Sequence, residues 1–322
     1  MGHSTTRRHF LGTSLGLTLG AAATTAEARP FAATPLEKPH EALRILHLTD
    51  IHIRPEVVAP QRCERLLAAA IAQSGEIDLV LNGGDSIYAA DYGDISRERV
   101  LEQWKLWDEV VAKPLSPWRM LSALGNHDMW WAAPDKQDPM YGKDYVLKRL
   151  HQESRYLSIV EGGWLIVVLD CNNSGLLDEK QLAWLHVQAN QHSELPMLIM
   201  SHQPICMAQQ WIGSGMSQRQ HQIVDPLVDK RLSARPVYFL SGHEHVIDTL
   251  SYANVSFLCN GAFSGAWWQY ELVKPGHYEG NNSVSGTPMG FATIDLNRDG
   301  TLINSYVDMT DSQDGKLLEP FA

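Results

Sequence analysis

The chain has 322 residues, 44% of them apolar and 20% charged. That is the balance of a soluble globular protein with enough apolar side chains for one large domain or two smaller ones. A net charge of −11 argues against a nucleic-acid polymer or an anionic membrane surface as partner. The N-terminus, residues 1–28, reads as an export signal. Arg7-Arg8-His9-Phe10-Leu11 is a twin-arginine pattern, a mild apolar stretch covers 10–23, and Ala26-Glu27-Ala28 is a small-x-small cleavage site. The stretch is too short and too rich in Gly and Thr for a bilayer-spanning helix. The expectation is passage through the twin-arginine export machinery, cleavage before Arg29, a periplasmic product, and no stable membrane insertion after cleavage.

Residues 29–41 are rich in Pro and Ala and read as a linker; 42–322 are expected to form a single domain. A strand over 43–49 ends at Asp50. Leu66, Leu67, Ala70 and Ile71 share helical spacing within 60–74. A buried-type strand over 77–82 ends at Gly83-Gly84-Asp85. Residues 97–113 predict an amphipathic helix, with Val100, Trp104, Trp107 and Val111 on one face. Residues 118–124 lead into Gly125-Asn126. Strands over 156–160 and 164–169 flank Gly162-Gly163, a hairpin signal. A helix over 178–190 has Asp178 as N-cap. Strands over 197–200 and 237–240 run into His202 and His243. Beyond 254 the pattern is all-β, with strands over 255–259, 290–296 and 301–307 and a turn at 297–300. Asp295-x-Asn297-x-Asp299-Gly300 imitates the start of a calcium loop. Tyr306 stands where its bidentate Glu belongs, so a hairpin turn explains those residues better. Cys63, Cys171, Cys206 and Cys259 fit no CxxC spacing, and four separate buried thiols are expected.

Five short signatures follow these strands: Asp50-Ile51-His52, Gly84-Asp85, Gly125-Asn126-His127-Asp128, His202 and Gly242-His243-Glu244-His245. Singly, each suits a loop cap or a solvated turn. Together, each behind an apolar strand, they bring Asp, Asn and His donors to one sheet edge in a number that suits two divalent cations. Such a pair, ~3.5–4 Å apart, can make a nucleophile from water and cover the charge on phosphoryl oxygens. Asp, Asn and His without Cys suit Mn, Fe or Zn.

At these residues the chain resembles the calcineurin-like metallophosphoesterase family, over 43 to about 307. It looks closest to the bacterial branch of cyclic-nucleotide phosphodiesterase-like phosphohydrolases. Gly175-Leu176-Leu177-Asp178 and the run from Cys259 to Trp268 share in that likeness. The resemblance implies an α/β fold, a four-layer α/β/β/α sandwich of two mixed sheets flanked by helices. It implies a first metal on Asp50, His52, Asp85 and His245. A second would lie on Asp85, Asn126, His202 and His243, with Asp85 bridging and a hydroxide between the ions as nucleophile. His127 would stabilise the transition state and protonate the leaving oxygen, and Asp128 would orient it. Gly84-Asp85-Ser86-Ile87-Tyr88 also matches the GDxxY of purple acid phosphatases, where Tyr binds ferric iron. Those enzymes have Gly where this chain has His52, so Tyr88 is expected behind the ligands rather than among them. The implied activity is a phosphodiesterase, with a broad or purple-acid-phosphatase-like phosphomonoesterase as the alternative and a non-catalytic ligand-binding relative as the remote one.

Substrate contacts are expected from Arg54 and from an aromatic wall. Trp130-Trp131 follow the His127 loop, Trp267-Trp268 lie near Tyr270, and Trp211 sits in a loop over 209–215. Such a wall could stack on a flat organic group. Loop packing accounts for the same residues equally well. No dense basic cluster surrounds the signatures, which favours a small phosphoester over a polyphosphate.

Overall fold

β1 (Leu43–Leu48) is buried along its whole length and sits at the centre of a five-stranded sheet. The computed structural model describes residues 35–56, 59–171, 176–231, 234–268 and 289–309. The export signal, the expected cleavage point at Arg29, most of the linker's first half, Gly175 and Tyr270 lie outside them. β1 pairs in parallel with β2 (Leu79–Asn82), and β2 in parallel with β3 (Arg119–Ser122). On its other side β1 runs antiparallel to β10 (Gly290–Leu296), which pairs with β11 (Leu302–Asp308).

The second sheet has the order β4-β5-β6-β7-β9-β8. β4 (Leu157–Glu161) and β5 (Trp164–Val168) form the expected hairpin, with Gly162 and Gly163 both at positive φ. β6 (Met197–Met200), β7 (Val237–Ser241) and β9 (Val255–Cys259) continue in parallel from β5. β8 (Asp248–Tyr252) closes the edge antiparallel to β9.

Strand alternation builds three apolar layers from one pattern. Ile45, Leu79, Leu81 and Leu121 from the first sheet meet Trp164, Ile166, Val168, Leu198, Met200 and Leu240 from the second. The opposite faces carry Leu46, Leu48 and Val80 towards α1 (Ala59–Ser74) and α2 (Arg97–Leu106). Leu165, Val167, Ile199 and Phe239 face α5 (Glu179–Gln191) and α7 (Gln218–Val224). The result is the α/β/β/α sandwich of two mixed sheets. α3 (Lys113–Leu115), α4 (Lys143–Arg149) and α6 (Ala208–Gly213) complete the described α-helices.

Three details differ from the sequence reading. The helix expected over 97–113 reaches Leu115 and passes through a π-helical stretch, Trp107–Ala112. That stretch ends two residues before Pro114, whose missing N–H interrupts the i→i−4 ladder. Val100, Trp104, Trp107 and Val111 are nonetheless all fully buried, as their spacing predicts. The loop expected over 209–215 is mostly helix, α6, which buries no side chain and so carries no periodic apolar signal. β8 is missing from the sequence reading for the same reason: its residues are half-buried or exposed at a sheet edge. The four cysteines are free and buried, as expected. Among the described residues, no helix is long and apolar enough to cross a membrane.

Candidate metal centre

The parallel strands deliver their C-terminal ends to one place. β1 is followed by Asp50 and His52, β2 by Asp85, β3 by Asn126 and His127, β6 by His202, and β7 by His243 and His245. The loops are laced together through the backbone. Asp50 N–H donates to the Gly84 carbonyl at 3.0 Å, His52 N–H to that of Asp85 at 2.9 Å, and Gly242 N–H to that of His202 at 3.0 Å. Asp50, His52, Asp85, His243 and His245 all have φ between 47° and 70°. Non-glycine residues rarely take this left-handed region, at a cost of about 1–2 kcal/mol each. Strain of this kind persists only where the surroundings over-determine it, and it gathers at functional sites.

Two groups of donors converge. Asp50, His52 and His245 form one, and Asp85, His202 and His243 the other, with ligand atoms within 4.8 Å of one another in each. In the first, His52 Nε2 lies 3.1 Å from His245 Nε2, and Asp50 Oδ1 lies 3.4 Å from His245 Nε2. In the second, His243 Nδ1 lies 3.2 Å from His202 Nε2, which is 3.0 Å from Asn126 Oδ1. Asp85 Oδ2 reaches both groups, 3.7 Å from His52 Nε2 and 3.2 Å from His202 Nε2.

The donors fit cations. His52, His202 and His245 each donate Nδ1–H to a backbone carbonyl, of Tyr88 at 3.2 Å, Gly83 at 2.9 Å and Gly265 at 2.9 Å. That fixes the tautomer and aims the Nε2 lone pair inward, as in protein metal sites. His243 is turned the other way and presents Nδ1. Gly242 allows the tight approach: a Cβ there would lie 1.9 Å from Thr49 Oγ1 and 2.3 Å from Asp50 Oδ2.

The electrostatics point the same way. Burial opposes ionisation of Asp50 and Asp85, but His245 beside the first and His202 beside the second hold both carboxyls well below the usual range. Burial also opposes charge on His202, yet Asp85 pushes it up to about 10; Asp50 likewise raises His245 against burial. His52 is lowered to about 3 by burial, and His243 to about 4 by burial and then by His202. Each group thus combines an anionic carboxylate, a neutral imidazole and an imidazole whose proton a cation must displace.

His127 stands beside the first group, its ring 5.4 Å from that of His52. Its backbone N–H donates to Asp85 Oδ1 at 2.8 Å, so the carboxylate that reaches both groups also fixes this loop. The sequence reading made Asp128 its orienting partner, and the structure corrects this. Asp128 Oδ1 accepts the N–H of Ser86 at 2.7 Å and Ile87 at 3.3 Å, and Oδ2 that of Gly125 at 2.8 Å. It ties the loops after β2 and β3 together, fully buried. Burial and the Asp85 charge raise its carboxyl to about 7 against the pull of those N–H groups. The partner of His127 is Asp91, whose Oδ1 lies 2.6 Å from Nδ1. Asp91 follows no strand and belongs to no signature, so the sequence offered no signal for it. Burial lowers the His127 pKa, but the Asp91 hydrogen bond and the Asp85 charge raise it further, for a net upward shift.

The aromatic wall shrinks to one residue. Trp267 stacks on His52 with ring centroids 3.7 Å apart and meets His127 edge-on at 4.9 Å. Trp268 is fully buried, and its Nε1–H donates to the Ile51 carbonyl at 2.9 Å; it anchors the loop. Trp130 belongs to the core under the first sheet, and Trp131 is 39% exposed and packs edge-on against Tyr141. Trp211 lies against Tyr252 on α6. In each adjacent pair one ring, Trp130 or Trp268, turns into the core. Tyr88 packs between Trp267 and the Arg54 guanidinium, which lies 4.5 Å above its ring.

A family model described as calcineurin-like phosphoesterase matches residues 43–247. Among solved structures, the chain is similar to the anchor in the inner membrane complex of Plasmodium, at 12% identity and TM-score 0.48, covering 84% of this chain and 85% of that one. It is also similar to the phosphopantetheinyl hydrolase of Mycobacterium tuberculosis, at 14% identity and TM-score 0.39, covering 85% and 98%. A predicted phosphoesterase of Streptococcus pneumoniae gives 13% identity and TM-score 0.33 over 83% and 98%. No curated protein matches.

Proposed function

We propose, from the premise that this chain belongs to the calcineurin-like phosphoesterase family, that it is a phosphodiesterase working with two transition-metal ions. Membership makes it a metal-dependent hydrolase of phosphoric esters; the diester preference, the pair of ions and their identity as Mn, Fe or Zn are our reading. The observation that carries it is Asp85, whose carboxylate stands between two groups of inward-aimed imidazoles. Asp50, His52, Asp85 and His245 would hold one ion, and Asp85, Asn126, His202 and His243 the other. When bound, the pair supplies Lewis-acid cover for the phosphoryl oxygens and lowers the pKa of water.

The rest falls to the chain. Asp91 takes Nδ1 of His127, leaving Nε2 to hold a proton for the departing alkoxide. Trp267 keeps water from the face of His52. A singly charged diester suits a site whose neighbouring cation is Arg54, stacked on Tyr88. Metal-loaded protein should hydrolyse bis-p-nitrophenyl phosphate faster than the monoester. Asp85→Asn should lose both turnover and metal, and His127→Ala turnover alone. Full activity in His127→Ala would remove that residue from the acid role, and a faster monoester would make the enzyme a phosphatase.

The reading extends to place. The twin-arginine pattern at Arg7-Arg8 and the Ala26-Glu27-Ala28 site support export as a folded protein and a periplasmic home. N-terminal sequencing of the periplasmic fraction tests this; an intact Met1 there refutes cleavage.

A further inference from the structure

One end of the second sheet is built from elements that bury almost nothing. β8 is an edge strand, paired with β9 on one side. α6 lies along it. The Ala208 N–H donates to Asp248 Oδ2 at 2.8 Å where both elements begin, and Trp211 packs on Tyr252 with ring centroids 5.0 Å apart towards their far ends. No residue of either element is fully buried. Leu250 and Trp211 touch the core beneath them, but Ile212 is 83% exposed, and Ile247, directly before β8, is half-exposed.

An open strand edge offers backbone donors and acceptors that another strand can complete. Natural edges are blunted by Lys, Pro or a bulge. β8 reads Asp248-Thr249-Leu250-Ser251-Tyr252, with neither Lys nor Pro, and it pairs with β9 residue for residue without a bulge. The edge is also complementary to itself. About a twofold axis at Leu250, a second β8 pairs antiparallel, so that Leu250 meets its own copy, Thr249 meets Ser251 of the partner subunit, and Asp248 meets Tyr252 of the partner subunit. The Lys230 ammonium lies 5.9 Å from the Tyr252 ring centre. Each Asp248 carboxylate would therefore face a lysine across the axis, and the symmetry makes that pairing twice. Asp248, Leu250 and Tyr252 share one face of the strand, the face on which α6 lies.

We propose that β8 and α6 form the seam of a homodimer, in which two β8 strands pair antiparallel, Asp248 of each chain meets Lys230 of the partner subunit, and the two α6 helices cover each other's Ile212. The occupant of the open edge is thus a second copy of this chain. Stable interfaces bury about 1,200–2,000 Å², more than a five-residue strand ladder provides, and the α6 helices supply apolar contact beyond it.

The test is molar mass, by light scattering and by sedimentation velocity over a concentration series, on metal-loaded protein. The unaltered protein should run at twice the mass of one chain. Lys230→Glu should raise the dissociation constant by about tenfold, because the symmetry turns two exposed ion pairs into two repulsions. Ile212→Lys, at a side chain the single chain leaves in solvent, should also weaken the dimer while leaving turnover of the separated chains intact. Adding Asp248→Lys to Lys230→Glu should restore association, a gain that a damaged fold cannot show. A single-chain mass across the whole series overturns the seam. So does a dimer whose dissociation constant neither Lys230→Glu nor Ile212→Lys moves.

Discussion

Replacing Asp91 by Asn should slow turnover by about 5- to 30-fold without emptying the metal sites. The Asp91–His127 contact is short, 2.6 Å, and its side chains are 27% and 13% exposed. A hydrogen bond to a charged group contributes about 1.5–3 kcal/mol when shielded from water. Partial exposure of both partners reduces that to about 1–2 kcal/mol, and each 1.36 kcal/mol is a factor of ten in rate. The pH profile carries the more specific signature. A general acid works while protonated, so activity is present below the His127 pKa and is lost as pH rises through it. The His127 pKa lies above its ordinary value partly because of Asp91. Removing that charge should therefore move the alkaline limb of kcat to lower pH. The assay is the kcat profile with bis-p-nitrophenyl phosphate, beside metal content by elemental analysis. An unchanged rate with an unmoved limb would refute Asp91 as the positioning partner. Loss of metal would show that it supports the site's structure instead.

Metal binding should release at least about one proton per chain at pH 8, because His202 holds its proton to about 10 and must lose it to serve as a ligand. Calorimetric titration in two buffers of different ionisation enthalpy measures it, and identical heats would contradict the assignment. Trp268→Ala should cost about 3–5 kcal/mol of stability as a core truncation, whereas Trp267→Ala should cost about 0.5–1.5 kcal/mol; denaturant unfolding separates them. Gly242→Ala should weaken metal affinity by driving a methyl into Asp50 Oδ2, and unchanged affinity would show that the loop yields.

The fold was largely legible because its central strands are buried on both faces. Continuous apolar runs such as 43–48 and 197–200 have few other uses in an α/β chain. The donors were legible because each lies a step or two beyond such a run. Elements that bury little left no pattern, which is why α6 and β8 went unread. Asp91 and Asp128 show another limit. Adjacency in sequence suggested that Asp128 serves His127, but the turn at Gly125 directs it into the interior as a loop tie, and space brings Asp91 in from six residues beyond Asp85. For the paired tryptophans, sequence gave the location and packing alone decided which ring faces the site.

β10 lies beside β1 although His47 and its partner Ala292 are 245 positions apart, and the matched pair Leu43 and Leu296 brackets most of the described chain. Ser264 and Trp268, far along the chain, hold the Asp50 and His52 loop through its carbonyls. The earliest donors are thus braced by residues some 214 positions further along the chain. Assembly of the centre must wait until those residues have been made, and contacts of such long sequence separation make for slow folding. A nascent chain halted after 247 would carry every donor and still lack the strands and loop that hold the first two in their left-handed turns.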